Sequence, residues 1–402
     1  MAADIRIPGD GHREEIARCI SRSLNFPLER ALARAPRLPI EDFRCAFEDG
    51  RVVATAAEHH FVQWFRGRPV QMSGIWAVST LPEHRETGLA SAAVRRLLED
   101  ARGRGVPISA LFPAVLRPYR RLGYELAGTF TDHRVPLEAL PASRDDDLPP
   151  VEIADIERDL DGVQSCYHEW VQHNHATLEP TDDRWWTERI FDDGGEESFS
   201  AVVVRDAGTI TGFATFKHVK DPGQLDVTFG LECSSFVALD ARAVRALLAY
   251  FRGFRGLGRW VEWTGPPQDP ISLLIDEQEL IQRFRFQWML RVLDVPGALA
   301  SRGWPGIDDN AIFAVDDPMF PDNAGPWRLS VGEGKATVDP VSPAEAARSP
   351  RPIAIGAFSS MFTGFLRVAD AVRLGILDRD DPATPALARL LSGPDPWSPF
   401  FF

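Results

Sequence analysis

The chain has 402 residues, of which 44% are hydrophobic, so it can bury a sizeable core and its length favours two or three domains. Its formal charge of -14 argues against sequence-independent nucleic-acid binding and against docking on an anionic membrane, since both need basic patches. The N-terminus has no basic region followed by an apolar one, and no run of about 18 apolar residues occurs. We therefore expect a cytoplasmic protein without a membrane span.

The cysteine and histidine patterns favour no metal site. The four cysteines are widely separated and lack CxxC spacing: Cys19, Cys45, Cys166 and Cys233. Such cysteines are expected to be buried and reduced. In the His-rich stretch 168–175, His168 and His173 are five residues apart and share no helical face, so we interpret the stretch as a solvated helix end.

Residues 1–140 predict the order strand, two helices, three strands, helix, strand, short helix and strand. The turn chemistry of Asp49-Gly50 and of Arg66-Gly67 indicates an antiparallel meander, and a helix follows over about 88–103. The charged, Pro-flanked segment 141–150 predicts a linker. These features define a first unit.

Two more units follow the linker. Residues 150–292 repeat the strand order of the first unit, with a hairpin about Gly208 and a helix at 240–254, but without close sequence similarity. Residues 293–402 predict a hairpin in 327–338 and a strand followed by an apolar helix in 353–377. The sequence therefore indicates a duplicated architecture joined to a third unit.

One short motif lies between a strand and a helix of the first unit, and it consists of Arg85, Glu86, Thr87, Gly88, Leu89 and Ala90. The first backbone N–H groups of a helix have no partners within it, and together they favour a phosphate. Gly88 and Ala90 would let that anion approach the backbone. An ordinary helix start is the alternative interpretation of such a short motif.

This strand, motif, helix and strand, followed by Tyr119-Arg-Arg-Leu-Gly123-Tyr124, resemble the Gcn5-related N-acetyltransferases, in which R/Q-x-x-G-x-G/A binds the pyrophosphate of coenzyme A. With the degenerate second unit, the segment "LRVLDVP" and the terminal phenylalanine, the whole chain resembles the Eis (enhanced intracellular survival) family. The resemblance implies a mixed α/β fold of three domains. These are a catalytic acetyltransferase domain at 1–140, a degenerate acetyltransferase-like domain at 150–292, and a sterol-carrier-like domain at 293–402 that ends in the active site. It also implies a homo-oligomer, specifically a hexamer.

The same resemblance implies acetyl-CoA-dependent N-acetyl transfer and assigns roles to residues. Tyr119 matches the general acid, and the carboxylate of Phe402 matches the general base. The matched cofactor contacts are Val78, Thr80, Arg85, Glu86, Thr87, Gly88, Leu89 and Ala90. The alternatives are a buried structural tyrosine and a frayed tail, although three exposed phenylalanines would promote aggregation.

Two departures from the family bear on the ligands. Glu86 and Thr87 stand where family members carry more basic residues, which weakens the expected attraction for pyrophosphate. Phe401 and Phe26 stand where members that accept polycationic aminoglycosides carry acids. With Trp76 and Phe112 nearby, the acceptor site is expected to be aromatic, and the acceptor to be a bulky, apolar or aromatic amine rather than kanamycin. No cysteine lies near the motifs, which favours direct attack in a ternary complex.

Two different functions are also compatible with the sequence. The protein is alternatively a catalytically silent binder of a hydrophobic ligand, or an acyltransferase that uses a hydroxyl acceptor or a longer acyl-CoA. On the strand before Phe61, either His59 or His60 should face the cleft, as a lining residue or an accessory base. The second unit offers Arg242 before its helix but no glycine three residues later, so we expect it to bind no pyrophosphate.

Overall fold

The computed structural model describes residues 4–142, 148–187, 199–220, 227–275, 277–346 and 350–402. Positions 143–147 of the predicted linker lie outside the described residues. Within the described ranges, no helix is both long enough and apolar enough to cross a membrane.

The first unit has the predicted order of elements. Its strands and helices are β1 (Asp4–Arg6), α1 (Arg13–Leu24), α2 (Leu28–Arg34), β2 (Phe43–Glu48), β3 (Arg51–Phe65), β4 (Arg68–Thr80), α3 (Leu89–Gly103), β5 (Ile108–Leu111), α4 (Arg117–Arg120) and β6 (Glu125–Pro136). In α3 the apolar residues recur at helical spacing, and Val94, Leu97 and Leu98 are completely buried. This face packs α3 against the sheet just beyond the end of β4.

The second unit contains the predicted hairpin about Gly208, and the helix expected at 240–254 spans Ala241–Arg252. Its described elements are β7 (Val151–Ile153), α5 (Ile156–Gln172), β8 (Thr177–Pro180), α6 (Asp183–Trp185), β9 (Phe199–Asp206), β10 (Thr209–Lys220), β11 (Phe229–Ala238), α7 (Ala241–Arg252), β12 (Gly258–Gly265) and β13 (Ile281–Val292).

The third unit packs short helices against a four-stranded sheet. Its described elements are α8 (Val295–Ser301), β14 (Asp309–Asp316), β15 (Gly325–Gly332), β16 (Lys335–Pro340), α9 (Pro343–Ala346), β17 (Ile353–Ala354), α10 (Ile355–Thr363), α11 (Val368–Arg373) and α12 (Thr384–Leu390). The single apolar helix predicted in 353–377 is wrong, because Gly364 adopts a φ of 87° and ends α10.

The first two units share one sheet, with the strand order β1-β2-β3-β4-β5-β13-β6-β12-β11-β10-β9-β7. β13 lies between β5 and β6 and is antiparallel to both. β8 pairs with the edge of β3, so the second unit also contacts the first through this strand. The Tyr119 motif, which lies between β5 and β6 in the chain, is therefore flanked by a strand of the second unit.

The His-rich stretch is only partly exposed. His168 and His173 are exposed, and His168 pairs with Glu179 at 2.7 Å. His175, in contrast, is 5% exposed and its Nε2 lies 2.9 Å from the carbonyl oxygen of Thr363. The prediction of a solvated helix end is wrong for His175, because the end of α10 covers it.

Candidate active site

The strands β4 and β5 part before β4 ends. Their parallel pairing stops at Ile75 and Leu111, whereas β4 continues to Thr80 alongside β3. A bulge separates the two stretches at Ala77, whose φ is 49°, and Thr55 Oγ1 donates a hydrogen bond of 2.7 Å to its carbonyl. The side of the last β4 residues that is turned away from β3 therefore faces a gap between β4 and β5.

Val78 and Thr80 lie on this diverging part of β4. Both are half-buried, and the hydroxyl of Ser23 donates to the carbonyl of Thr80 at 2.8 Å, which joins the end of α1 to the strand. An extended strand with one unpaired side offers a row of N–H and C=O groups. This edge can hold an extended chain such as a pantetheine arm.

The start of α3 supplies backbone donors next to this gap. Gly88 is its N-terminal cap, with a φ of 81°, and the first bond of the helix runs from Ala92 N to Gly88 O at 3.0 Å. The N–H groups of Leu89 and Ala90 consequently have no partner within the helix. A Cβ on Gly88 would meet no heavy atom within 4 Å, so the space beside these donors is open.

The residues just before Gly88 are exposed. Thr87 donates from Oγ1 to the carbonyl of His84 at 2.6 Å, which orders the turn, and Glu86 adopts a φ of 65°. Arg85 contributes the only positive side chain of the motif. The loop therefore combines one cation and one anion around the free amides.

Tyr119 packs in the buried cluster that also holds the last paired residues of β4 and β5, Ile75 and Leu111. It is 9% exposed. Burial raises the pKa of Tyr119 to about 12. Tyr124, the other tyrosine of the motif, has its hydroxyl 2.7 Å from Ser109 Oγ, whereas the Tyr119 hydroxyl has no hydrogen-bond partner among the described residues.

The C-terminal tail is docked on β6. Thr129 N donates to the carbonyl of Pro396 at 3.1 Å, and Ser398 N donates to the carbonyl of Thr129 at 3.0 Å. Phe402 is only 8% exposed. The frayed tail is therefore excluded, and the segment leads its last residue into the first unit.

Phe402 lies among aromatic rings near the gap. Its ring centroid is 5.2 Å from that of Phe61 and 5.3 Å from that of Phe112. Phe401 is half exposed. Its ring centroid lies 4.4 Å from that of Phe112 and 5.9 Å from that of Phe286. Of the predicted acceptor residues, Phe401 thus belongs to the tail and Phe112 contacts it.

Trp76 extends the aromatic wall along β4. Its ring stacks on His59 at 4.6 Å with an interplanar angle of 7°, and His59 in turn lies 5.2 Å from Trp185. Of the two candidate histidines, His59 therefore faces this wall, whereas His60 is exposed and 3.2 Å from Asp42.

Phe26 is not brought to this wall. It belongs to a separate small cluster with Ala17, Ala31 and Ala35, and Arg34 lies over its ring at 5.7 Å. The structure thus groups three of the four predicted acceptor residues with the tail and leaves the fourth apart.

Several wall residues were missed by sequence reasoning. Phe61, Trp185 and Phe400 pack on one another, with ring centroids 5.0 to 5.9 Å apart. The alternation of β3 was a usable signal, because it places Phe61 on the same face as His59. Trp185 had no such signal, since a different unit brings it here.

Charged residues also lie close to the wall and were missed. A bulge in β13 occurs at Arg285, whose guanidinium lies 5.4 Å from the centre of the Phe130 ring, and Phe130 contacts Phe112. The buried carboxylate of Asp132 has two arginine neighbours: its Oδ2 lies 3.2 Å from Nη2 of Arg283 and 3.4 Å from Nε of Arg285. The surroundings of the wall thus carry arginines as well as aromatic rings.

A buried ion pair explains two further sequence features. Arg291, in the segment "LRVLDVP", is fully buried and its Nη2 lies 2.8 and 3.0 Å from the carboxylate oxygens of Asp317. A Cβ on Gly123 would collide with this guanidinium, and Gly123 has a φ of 86°. The pair therefore links the third unit to the turn that follows Tyr119.

Three regions of the chain match family models. Residues 4–127 and 181–292 each match an acetyltransferase (GNAT) domain, and residues 295–399 match a sterol carrier protein domain. These matches cover most of the first unit, the later part of the second unit and nearly all of the third.

Relatives and solved structures agree. An uncharacterized N-acetyltransferase of Streptomyces coelicolor is 28% identical over 280 residues, which are 67% of this chain and 66% of that protein's length. A GCN5-related N-acetyltransferase structure from Anabaena variabilis ATCC 29413 has a TM-score of 0.90 at 23% identity, with complete coverage of both chains. Eis1 from Mycobacterium abscessus superposes with a TM-score of 0.80 at 22% identity, again over both whole chains. The chain belongs to the Gcn5-related N-acetyltransferases, with two acetyltransferase (GNAT) domains followed by a sterol carrier protein domain.

Proposed function

We propose that the protein transfers an acetyl group from acetyl-CoA to an amine of a bulky, apolar or aromatic small molecule, by direct attack in a ternary complex. The observation that carries the proposal is the burial of Phe402 against Phe61 and Phe112, beside the gap where β4 leaves β5. This contact supports the proposal because the residue that carries the terminal carboxylate packs, with the aromatic wall, beside the edge that suits an acyl thioester.

The residues at the gap fit acetyl-CoA. The free edge of β4 at Val78 and Thr80 would hold the pantetheine arm, and the amides of Leu89 and Ala90 would hold the pyrophosphate, in the open space beside Gly88. Arg85 adds a positive charge, whereas Glu86 opposes the phosphate and lowers the affinity. When bound, acetyl-CoA supplies the activated acetyl thioester.

Each catalytic group has one task. The carboxylate of Phe402, directly or through one water, takes the proton of the amine that attacks the acetyl carbonyl. A backbone N–H near Thr80 stabilises the developing oxyanion. The hydroxyl of Tyr119 donates a hydrogen bond to the departing sulfur. With a pKa of about 12, against about 8.5 for a thiol, Tyr119 works mainly by stabilising the thiolate rather than by full proton transfer.

The cysteines argue against an acyl-enzyme intermediate. All four are free and buried. Burial raises the pKa of the Cys19 thiol to about 11 and that of Cys45 and Cys166 to about 12. Thiols with such pKa values form little thiolate at neutral pH, which supports a single direct transfer.

The surroundings of the wall favour an aromatic acceptor over a polycation. Phe112, Phe401 and Trp76 offer ring surface rather than carboxylates. Arg285, paired with Asp132, lies nearby on Phe130, so several ammonium groups would lose hydration there with only the Phe402 carboxylate to pair with. Aminoglycosides are therefore expected to be poor acceptors.

Thiol release from acetyl-CoA tests this function, with a panel of arylalkylamines, the matching alcohols, and kanamycin and neomycin. Saturable release with the amines and little with the alcohols or aminoglycosides is expected. Absence of saturable acetyl-CoA binding by calorimetry would instead favour the silent ligand-binding protein. Faster release with the alcohols would favour transfer to a hydroxyl, and faster release from longer acyl-CoA donors would favour a longer acyl group.

The protein is also proposed to act as a homo-oligomer, hexameric as the family resemblance implies. Large apolar side chains are exposed near the start of β13: Ile281 at 61%, Phe284 at 58% and, before it, Leu273 at 85%. Exposed large apolar residues favour burial against another surface. Light scattering coupled to size-exclusion chromatography tests the assembly, and a monomeric mass at micromolar concentration would contradict it.

A further inference from the structure

The second unit repeats the parting of two parallel strands. β11 and β12 pair from Phe229 and Gly258 as far as Glu232 and Glu262, after which β11 continues to its end at Ala238. β12 likewise runs on past its last pair with β11. The strands therefore diverge as β4 and β5 do in the first unit, and leave a gap.

A cavity of about 260 Å³ occupies this gap. Four elements of the second unit and the tail contribute its mainly apolar lining, which includes Trp170, Phe236, Leu239, Val244, Trp263 and Trp397. Its volume lies below the roughly 300 to 1,000 Å³ of pockets for drug-sized ligands. An occupant must therefore be small, about one ring with a short chain.

The cavity is not a second coenzyme A site. At the start of α7, the carboxylate of Asp240 accepts a hydrogen bond from Ala243 N at 2.8 Å. In the first unit the equivalent helix start has Gly88 and open space. A carboxylate at the helix start takes the donor that a phosphate would need and repels the anion.

One buried carboxylate defines the chemistry of the cavity. Asp269 lines it, is 7% exposed, and accepts hydrogen bonds from the indole N–H of Trp263 at 2.8 Å and from Ile271 N at 2.9 Å. Within the described ranges no arginine, lysine or histidine forms an ion pair with it. A buried carboxylate is costly without a counter-charge, and aromatic faces attract cations.

We propose that this cavity binds a small organic ammonium with an apolar or aromatic body, at a site separate from the acetyl acceptor's. The ammonium would lie near Asp269, and the rings of Trp263 and Trp397 would enclose the rest. This is a binding site of the second unit and does not depend on the reaction at the first.

The tail connects the two sites. Trp397 forms part of the cavity lining and is 3% exposed, and its neighbours Pro396 and Ser398 are bonded to Thr129 on β6. Phe402 lies five residues further along the same segment. An occupant that packs on Trp397 would therefore steady the tail that ends at the aromatic wall.

Calorimetric titration of the full-length protein with phenethylamine tests the site, with 2-phenylethanol as the uncharged counterpart. We expect a binding event that is at least tenfold weaker for the alcohol. Asp269→Asn should weaken it at least tenfold, and Val244→Phe, which fills the cavity, should abolish it. Asp206→Asn, a change of a partly exposed carboxylate paired with Arg242, is the matched control and should leave it unchanged.

Acetyl transfer, measured in the same variants, separates this event from binding at the acceptor wall. It should stay within twofold of wild type in Asp269→Asn and Val244→Phe. Unchanged phenethylamine binding in both variants, or equal affinity for the alcohol at this site, would overturn the proposal.

Release of phenylalanine from the tail by a carboxypeptidase tests the connection. Phenethylamine should slow it at least threefold in the wild type but not in Asp269→Asn. Equal rates with and without phenethylamine in the wild type would overturn the contact between occupant and tail.

Discussion

Phe402 and Gly74 are in direct contact, so close that a Cβ on Gly74 would lie 2.9 Å from Cε2 of the Phe402 ring. Gly74 precedes Ile75, the last residue of β4 that pairs with β5. The final ring of the chain therefore packs at the point where the two strands part, and a side chain at position 74 would displace it.

Gly74→Ala should lower turnover at least tenfold while leaving coenzyme A affinity within twofold of wild type. The added methyl group meets the ends of the Phe402 and Phe61 rings, and the tail can move away more easily than a strand can. Steady-state kinetics and calorimetry measure the two quantities. Gly11→Ala is the control, since a Cβ there meets nothing within 4 Å, and equal kinetics in both variants would contradict the expectation.

Gly88→Val should weaken coenzyme A binding at least tenfold. The β-branched side chain is strained at a φ of 81° and occupies the open space beside the free amides of α3. Gly105→Val is a matched control, because Gly105 has a φ of 79°, equally open surroundings, and a position just after the other end of α3. An equal loss of affinity in the two variants would show that strain alone is responsible.

Tyr119→Phe should reduce turnover at least tenfold without changing cofactor affinity or stability, because only the hydrogen bond to the departing sulfur is lost. Tyr124→Phe should behave differently. It breaks the hydrogen bond with Ser109 and should cost about 1 kcal/mol of unfolding free energy. Turnover at the wild-type level in Tyr119→Phe would identify Tyr119 as structural.

The stability of the protein should fall between pH 6.5 and pH 4 partly because of His175. Burial, with Arg302 nearby, lowers the pKa of His175 to about 4, whereas an unfolded histidine has a pKa of about 6.5. Between these values the unfolded chain binds a proton that the native state does not, so protonation favours unfolding as pH falls. The loss attributable to this group between pH 7 and pH 5 is about 2 kcal/mol.

Urea unfolding at pH 7 and pH 5 measures this loss. His175→Gln should make the difference between the two pH values smaller than in wild type, because the titrating group is gone. An unchanged difference would show that His175 titrates alike in both states.

Local patterns were sufficient for much of the fold. Turn dipeptides and helical spacing predicted the elements of the first unit, and the short motif at Gly88 identified the helix start. These features depend on neighbouring residues in the chain, which is why they are visible in the sequence.

Features set by distant partners were not predictable. The insertion of β13 between β5 and β6 depends on the whole sheet, not on residues 281–292 alone. His175 is buried by Thr363, 188 positions away, and Phe26 faces its own small cluster although the family pattern suggested the acceptor wall. In each case long-range packing decided the outcome.

Acetyl transfer by C-terminally and N-terminally tagged protein tests most directly whether the Phe402 carboxylate is the base. A C-terminal tag replaces that carboxylate with a neutral peptide carbonyl, and removing Phe402 moves the end of the chain by up to about 3.3 to 3.6 Å, beyond hydrogen-bond reach. We predict that both forms lose most turnover across the pH range while keeping fold and coenzyme A affinity, and that the N-terminally tagged form is fully active. Full turnover by the C-terminally tagged form, with the same acceptor and cofactor affinity, would contradict the account and make His59 the next candidate base.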